Sequence, residues 1–126
     1  MKALSLKQPF AELILEGKKK IELRKWNTNF RGEFFIHASK NPDKESMKRF
    51  GFTTLPLGFI VGKANLTDVK IYEIEEEHFK NKNLHLASDN WGNHGYILEN
   101  PIRITPIPFK GQLNFFETNL DKTWQS

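Results

Sequence analysis

The 126-residue sequence contains no cysteine, which excludes disulfide bonds, a thiol nucleophile and any metal site built on thiolates. No apolar run approaches the roughly 20 residues that a membrane span requires, and the N-terminal segment MKALSLKQPF lacks the apolar stretch of a signal peptide. The four histidines have no pair at the usual metal-ligand spacing, so we expect neither a metal site nor a cofactor. These absences favour a cytoplasmic protein with no membrane attachment.

Internal repeats and low-complexity tracts are also absent, and proline and glycine are scattered singly between periodic segments. A chain of this length can bury one real core but not two. We therefore expect a single domain over residues 1–120 and a C-terminal tail over residues 121–126, in a protein that is a monomer or a weak dimer.

The charge is unevenly distributed along the chain. Residues 1–50 carry 12 basic and 6 acidic side chains, whereas residues 51–126 carry 7 and 9. A basic N-terminal half indicates an anionic partner such as RNA, DNA or a nucleotide. A lysine-rich solvated surface is the alternative, and composition alone favours it.

Hydrophobic periodicity predicts many short strands and a few short helices. A period of two predicts strands, which begin near residues 3, 20, 33, 57, 95, 102 and 112. Helical spacing after Pro9, around 41–50 and around 73–80 predicts helices, and residues 82–93 have the pattern of a loop. Many short strands bounded by proline and glycine are typical of an α+β fold in which short helices plug or flank a small β-barrel.

The densest cluster of functional side chains is GKKKIELRKW, residues 17–26. Alternation along the strand places Glu22, Arg24 and Trp26 on one face. There Trp26 could stack on a base, Arg24 could bind a phosphate or a base edge, and Glu22 could accept from an exocyclic amine. An ordinary solvated strand with a Glu22–Arg24 pair is the competing interpretation.

Two further groups could contribute to such a site. His37 and Ser39 share one face of the strand that we expect to pair with the Glu22 strand, so a Ser39, His37 and Glu22 arrangement can be drawn, although nothing supplies an oxyanion hole. We interpret His37 as a hydrogen-bonded structural or pocket residue. Trp91 and Tyr96, around a polar segment that contains glycine, could form the far wall of a cleft. The competing interpretation is that both are core or rim residues.

Four segments resemble, in order, the blocks of the ASCH (activating signal cointegrator homology) domain: ALSLKQPFAELILEGKKKIELRKW, RGEFFIHAS, LPLGFIVGKANLTDV and HGYILENPIRITPIPFKGQLNFFE. The resemblance covers nearly the whole chain. It implies a PUA-like fold, a small mixed β-barrel related in shape to domains that bind RNA and modified bases.

The family's pocket motif GxKxIExRxW carries over onto Lys19, Glu22, Arg24 and Trp26. Lys7 and Gln8 match in the family's first block, and His37 and Ser39 lie where its IHA segment runs. Lys18 and Lys20 are further ligand-binding candidates, as part of a basic rim that would bind phosphates. The motif thus selects the same cluster as the periodicity.

The resemblance leaves two functions open. A binding module would hold RNA, a modified nucleoside or DNA, with lysines on the phosphates. An enzyme would resemble the family's N4-acetylcytidine amidohydrolases, which use Lys, Thr and Glu, or its ribonucleases, with Lys19 as base and Glu22 as water activator. Glu22 stands where the amidohydrolases have their threonine, and the third catalytic residue would come from residues 73–77 or Asp89. A protein-interaction adaptor is a third interpretation.

Overall fold

The computed structural model describes residues 1–121, so residues 122–126 of the expected tail lie outside the described part of the chain. The strands are β1 (Lys2–Leu6), β2 (Ile21–Arg24), β3 (Gly32–Ala38), β4 (Phe59–Ile71), β5 (His94–Pro108) and β6 (Phe115–Glu117). The helices are α1 (Phe10–Leu15), α2 (Lys44–Arg49), α3 (Glu75–Lys80) and α4 (Lys82–His85). None of the helices described in residues 1–121 is long and apolar enough to cross a membrane.

All six strands form one sheet in the order β2-β5-β4-β3-β1-β6, in which only the β1–β3 pair is parallel. The sheet curls around an inner core that includes Leu4, Phe34, Ile36 and Tyr96, while a second cluster around Phe35 covers its outer face. The expected α+β class is confirmed, and the curled sheet is a half-barrel flanked by short helices.

The expected pairing of β3 with β2 is wrong. β3 lies between β1 and β4, whereas β2 pairs only with the start of β5, where Glu22 opposes Tyr96 and Arg24 opposes His94. The apolar face of β2 explains this position, because Ile21 and Leu23 are buried in a separate cluster beside that end of β5.

β5 is one continuous strand, although the sequence predicts two separate segments here, over residues 95–99 and 102–107. β2 pairs only with residues 94–97 of β5. The β5 edge that faces β2 therefore has no β2 partner around Pro101 and Pro106. The register between β5 and β4 also shifts there. A proline without an N–H is tolerated at a free edge or an irregularity. The predicted loop over 82–93 is partly helical, because α4 occupies its start.

The curl brings the β2 edge of the sheet close to β1 near the opposite edge, and side chains join them. Arg24 Nη2 on β2 donates to the Ser5 carbonyl oxygen on β1 over 2.8 Å. Behind it the Tyr96 ring of β5 stacks on Phe115 of β6, with ring centroids 6.3 Å apart. We call this junction the seam. Within residues 1–121 no backbone ladder crosses it.

Candidate functional site

A cavity of about 720 Å³ opens at the seam. Residues of β1, β2 and the loops before α1, after β2 and before β5 line it together. We call it the seam pocket and define it by six of its lining residues, which are Ser5, Lys7, Glu22, Arg24, Trp26 and Trp91. Sequence segments far apart in the chain therefore converge on one concave surface.

β2 aims a guanidinium and a carboxylate into the seam pocket. Because Ile21 and Leu23 are buried on one face of the strand, Glu22 and Arg24 fall on the other. Arg24 Nε and Nη2 each lie 3.0 Å from Glu22 Oε2. Since Arg24 Nη2 also bonds to Ser5, the arginine is held from two sides.

Lys19 lies directly behind this pair. The turn after α1 is fixed by the backbone N–H groups of Lys18 and Lys19, both of which donate to the Leu13 carbonyl oxygen over 3.0 Å. Lys19 Nζ then lies 3.4 Å from Glu22 Oε1, donates to the His85 carbonyl oxygen and faces the Phe10 ring. The Lys19 side chain is only 1% exposed, so the lysine reaches the pocket through Glu22.

Burial lowers the pKa of Lys19 from its ordinary value, while the neighbouring Glu22 carboxylate opposes that change and Arg24 and Arg49 add to it. The ammonium group is disfavoured in a poorly solvated position because few groups replace its lost water. Glu22 lies between two basic side chains, with Lys19 on Oε1 and Arg24 on Oε2.

Aromatic side chains form two parts of the pocket wall. Trp26 follows β2 and is 47% exposed, and its carbonyl oxygen accepts from the Tyr96 hydroxyl over 2.8 Å. Trp91 is half-buried and packs edge-on against Phe10 at a centroid distance of 5.2 Å. Both indoles border the cavity that contains Arg24.

The structure does not bring every predicted residue to this cavity. Lys7 and Ser39 line it, but Gln8 is buried and holds the chain instead, donating to the Pro56 carbonyl and accepting from the Glu12 N–H. Lys18 is exposed and pairs with Glu16.

Lys20 is exposed and lines a different cavity. We expect His37 on a strand next to β2, but two strands, β5 and β4, lie between β2 and β3. His37 lines a cavity next to the seam pocket, and the drawn Ser39, His37 and Glu22 arrangement is therefore not formed across a strand pair.

Sequence reasoning missed several residues that line the seam pocket. Ser5 is the only polar side chain between Lys2 and Lys7 in a strand that is otherwise apolar, a signal that could have identified it. Phe10, Asp43 and Leu113 carried no such signal, because their place depends on how α1, the start of α2 and the loop before β6 pack around the seam.

The charged groups that line the pocket are three cations and two anions, namely Lys7, Arg24, Lys25, Glu22 and Asp43. Lys19 adds a further buried positive charge behind Glu22. A cavity with an excess of positive charge and aromatic walls suits a planar ligand that carries or adjoins an anionic group.

A single curled α+β sheet, a half-barrel with short flanking helices, defines the class of fold. The family model described as the ASCH domain matches residues 4–108, and the chain belongs to this family. The resemblance drawn from the sequence is thus confirmed.

Solved structures of ASCH from Zymomonas mobilis share the fold. One matches with a TM-score of 0.60 and 19% sequence identity, covering 84% of this chain and 71% of that one. Two single-substitution variants of that protein, one Tyr to Phe and one Ser to Ala, match with TM-scores of 0.62 and 0.61, each at 19% identity, and cover 84% of this chain and 73% and 72% of theirs. No curated protein matches the chain by sequence.

Proposed function

We propose that this protein binds RNA or a modified nucleoside and seats one base in the seam pocket. The observation that carries the proposal is the convergence of Trp26, Trp91 and the Glu22–Arg24 pair on one cavity. Base recognition in single-stranded RNA commonly combines stacking on an aromatic ring with hydrogen bonds to the base edge.

Arg24 is the group best suited to recognise the ligand. Its Nε and Nη2 atoms are committed to Glu22 and Ser5, whereas Nη1 makes no hydrogen bond to any residue in the described range 1–121. A guanidinium held in this way presents its remaining N–H groups in a fixed direction, which favours a phosphate oxygen or a base acceptor.

Lysines at the rim supply the sequence-independent part of binding. Lys7 and Lys25 line the pocket, and each phosphate that a lysine neutralises adds to the salt dependence of affinity. We expect the affinity for single-stranded RNA to fall as the salt concentration is raised. The logarithm of the binding constant should fall less steeply with the logarithm of salt concentration in Lys25→Ala than in the wild type. Lys80→Ala is the matched control, because Lys80 lies on α3 and does not line the pocket.

Titration of a short single-stranded RNA, followed by tryptophan fluorescence at two salt concentrations, tests the proposal. Saturable quenching that Trp26→Leu diminishes would support a base in the pocket, with Phe79→Leu as a control for loss of an exposed aromatic ring elsewhere. Single-stranded DNA of the same sequence tests the contribution of the 2′-hydroxyl. If RNA, DNA, cytidine and N4-acetylcytidine all leave the fluorescence unchanged, the proposal is wrong.

Hydrolysis is the second candidate, favoured by the buried Lys19 with its lowered pKa beside Glu22. In this scheme Glu22 activates a water molecule, and N4-acetylcytidine plus water gives cytidine plus acetate. Because the buried Lys19 reaches the pocket only through Glu22, in this scheme it positions Glu22 and does not act as the base that the sequence predicts. Chromatography of N4-acetylcytidine incubated with the protein, and gels of the RNA samples, test deacetylation and cleavage separately. Products formed at an undiminished rate by Glu22→Gln would exclude the role of Glu22.

A further inference from the structure

Ser5 and His37 form a hydrogen-bonded pair outside the Glu22–Arg24 cluster. They oppose each other on the parallel strands β1 and β3, and Ser5 Oγ lies 2.7 Å from His37 Nδ1. His37 Nε2 lies 2.7 Å from the Phe109 carbonyl oxygen. We call these two side chains the Ser5–His37 pair.

The bonds of the imidazole fix its tautomer. A carbonyl oxygen only accepts, so Nε2 carries the proton that it donates to Phe109. Nδ1 therefore presents a lone pair, and the Ser5 hydroxyl donates to it. Burial lowers the pKa of His37 below its ordinary value of 6.5, although the bond to Phe109 opposes this change. The lowered pKa favours a neutral ring near pH 7.

A hydroxyl that donates to an oriented, neutral imidazole is the arrangement that activates a serine nucleophile. In this protein a backbone carbonyl oxygen orients the ring, a position often occupied by a carboxylate. The pair and the Phe109 carbonyl thus supply the nucleophile, the base and the orienting group from three separate segments.

Ser5 also lines two cavities. It lines the seam pocket and a neighbouring cavity of about 380 Å³, bordered by His37, Lys40 and Lys110, which we call the loop pocket. Gly111 covers the pair closely, since a Cβ at this position would lie 2.5 Å from Ser5 Oγ and 2.6 Å from His37 Cε1.

Backbone donors lie next to the pair. The N–H groups of residues 110–114 donate to no acceptor within the described part of the chain, residues 1–121. This loop contributes Lys110, Gly111 and Gln112 to the wall of the loop pocket. Unpaired amides beside a nucleophile are suitable donors for a developing oxyanion.

We propose that Ser5 is the nucleophile and His37 the general base of an acyl-transfer site whose substrate is an ester that carries a negative charge. The charge preference follows from Lys40 and Lys110, because no Asp or Glu is found among the described residues that line the loop pocket. This site does not depend on whether the seam pocket binds a base.

The reaction balances without any further reagent. Ser5 Oγ attacks the ester carbonyl carbon as its proton passes to His37 Nδ1, and the collapsing intermediate expels the alkoxide, which takes that proton and leaves as the alcohol. A water molecule then attacks the acyl-Ser5 ester, with His37 Nδ1 accepting its proton and returning it to Ser5. The products are one carboxylic acid and one alcohol.

The experiment compares hydrolysis of 4-nitrophenyl acetate with that of its anionic analogue 5-acetoxy-2-nitrobenzoate. We expect faster turnover of the anionic ester, a loss of about a hundredfold or more in Ser5→Ala and His37→Gln, and an acetyl group on the peptide that contains Ser5 after rapid quenching. Ser88→Ala makes the same chemical change at an exposed serine away from both pockets and should retain the full rate.

A thiol variant keeps the proposal testable if Ser5→Ala does not fold. Because the chain has no cysteine, Ser5→Cys introduces a single thiol. At neutral pH we expect iodoacetamide to alkylate the introduced thiol faster than it alkylates the thiol of glutathione. This advantage should disappear in Ser5→Cys/His37→Gln. Hydrolysis at the wild-type rate by Ser5→Ala, acetyl label confined to other peptides, or a thiol no more reactive than glutathione would each overturn the proposal.

Discussion

Replacing Glu22 with glutamine isolates the electrostatic cost of the buried lysine. Glu22 is the only carboxylate within ion-pair distance of Lys19 among residues 1–121. In Glu22→Gln the ammonium keeps its bond to the His85 carbonyl and its contact with the Phe10 ring but loses its counter-ion. Arg24 is less affected, because it retains Ser5 and is partly exposed.

The expected loss of stability is large. Removing one partner of a buried ion pair costs about 3–5 kcal/mol. The lower end, about 3 kcal/mol, applies here because the Glu22 side chain is 14% exposed and water reaches it. In a domain of this size that loss corresponds to a melting temperature roughly 10 °C lower.

The pH dependence has a defined sign. The folded pKa of Lys19 lies below the ordinary value of 10.5 and falls further without Glu22. Between the folded pKa and 10.5 the unfolded chain binds more protons, so stability rises with pH over that window. The difference between wild type and Glu22→Gln should therefore shrink as the pH is raised through the window between their two folded pKa values, both of which lie below 10.5.

Urea unfolding followed by far-UV circular dichroism measures these free energies. Glu73→Gln is the matched control, since Glu73 is exposed and a surface change of this kind stays within about 0.5 kcal/mol. Adding Lys19→Met to Glu22→Gln should restore most of the loss, because it removes the buried charge. A loss below about 1 kcal/mol in Glu22→Gln, with no recovery on adding Lys19→Met, would refute the reasoning.

Three further predictions concern the scaffold. Gly62→Ala places a methyl group 2.3 Å from Leu15 Cδ2, so it should destabilise the fold by about 1–3 kcal/mol in a thermal melt, and an unchanged melting temperature would contradict this. Arg103→Gln removes a bidentate ion pair between a half-exposed arginine and Glu12. At neutral pH it should lower the free energy of unfolding by about 0.5–1 kcal/mol. Because the Arg103 guanidinium lowers the pKa of Glu12 below 4.5, that difference should disappear as the pH falls through the folded pKa. Burial lowers the pKa of His85 below 6.5, so the free energy of unfolding should decline as the pH falls below 6.5, and His85→Gln should weaken that decline in urea titrations.

Local patterns predicted most elements but not which strands meet. The alternation around Glu22 and the apolar spacing after Pro9 are encoded within a few residues, so β2 and α1 follow from them. The neighbour of β2 is chosen by the burial of Ile21 and Leu23 against distant residues. No short-range signal records that choice, and the expectation that β3 pairs with β2 failed for this reason.

The candidate site divides in the same way. Glu22, Arg24 and Trp26 could be grouped from one strand, and the structure brings them together with Trp91, whose approach depends on a loop far along the chain. Their role in binding or catalysis stays a prediction. Ser5 was missed because its partner His37 becomes its neighbour only through the parallel β1–β3 pairing.

The seam gives the pocket a mechanical property. A closed barrel widens only by breaking a ladder of backbone hydrogen bonds, whereas here one guanidinium–carbonyl bond and a stacked ring pair span the gap. Small separations of the two edges leave every strand pairing intact, so the seam pocket can widen at little elastic cost. Arg24 both closes the seam and, in the proposed function, recognises the ligand, so binding there would couple ligand occupancy to the stiffness of the whole sheet.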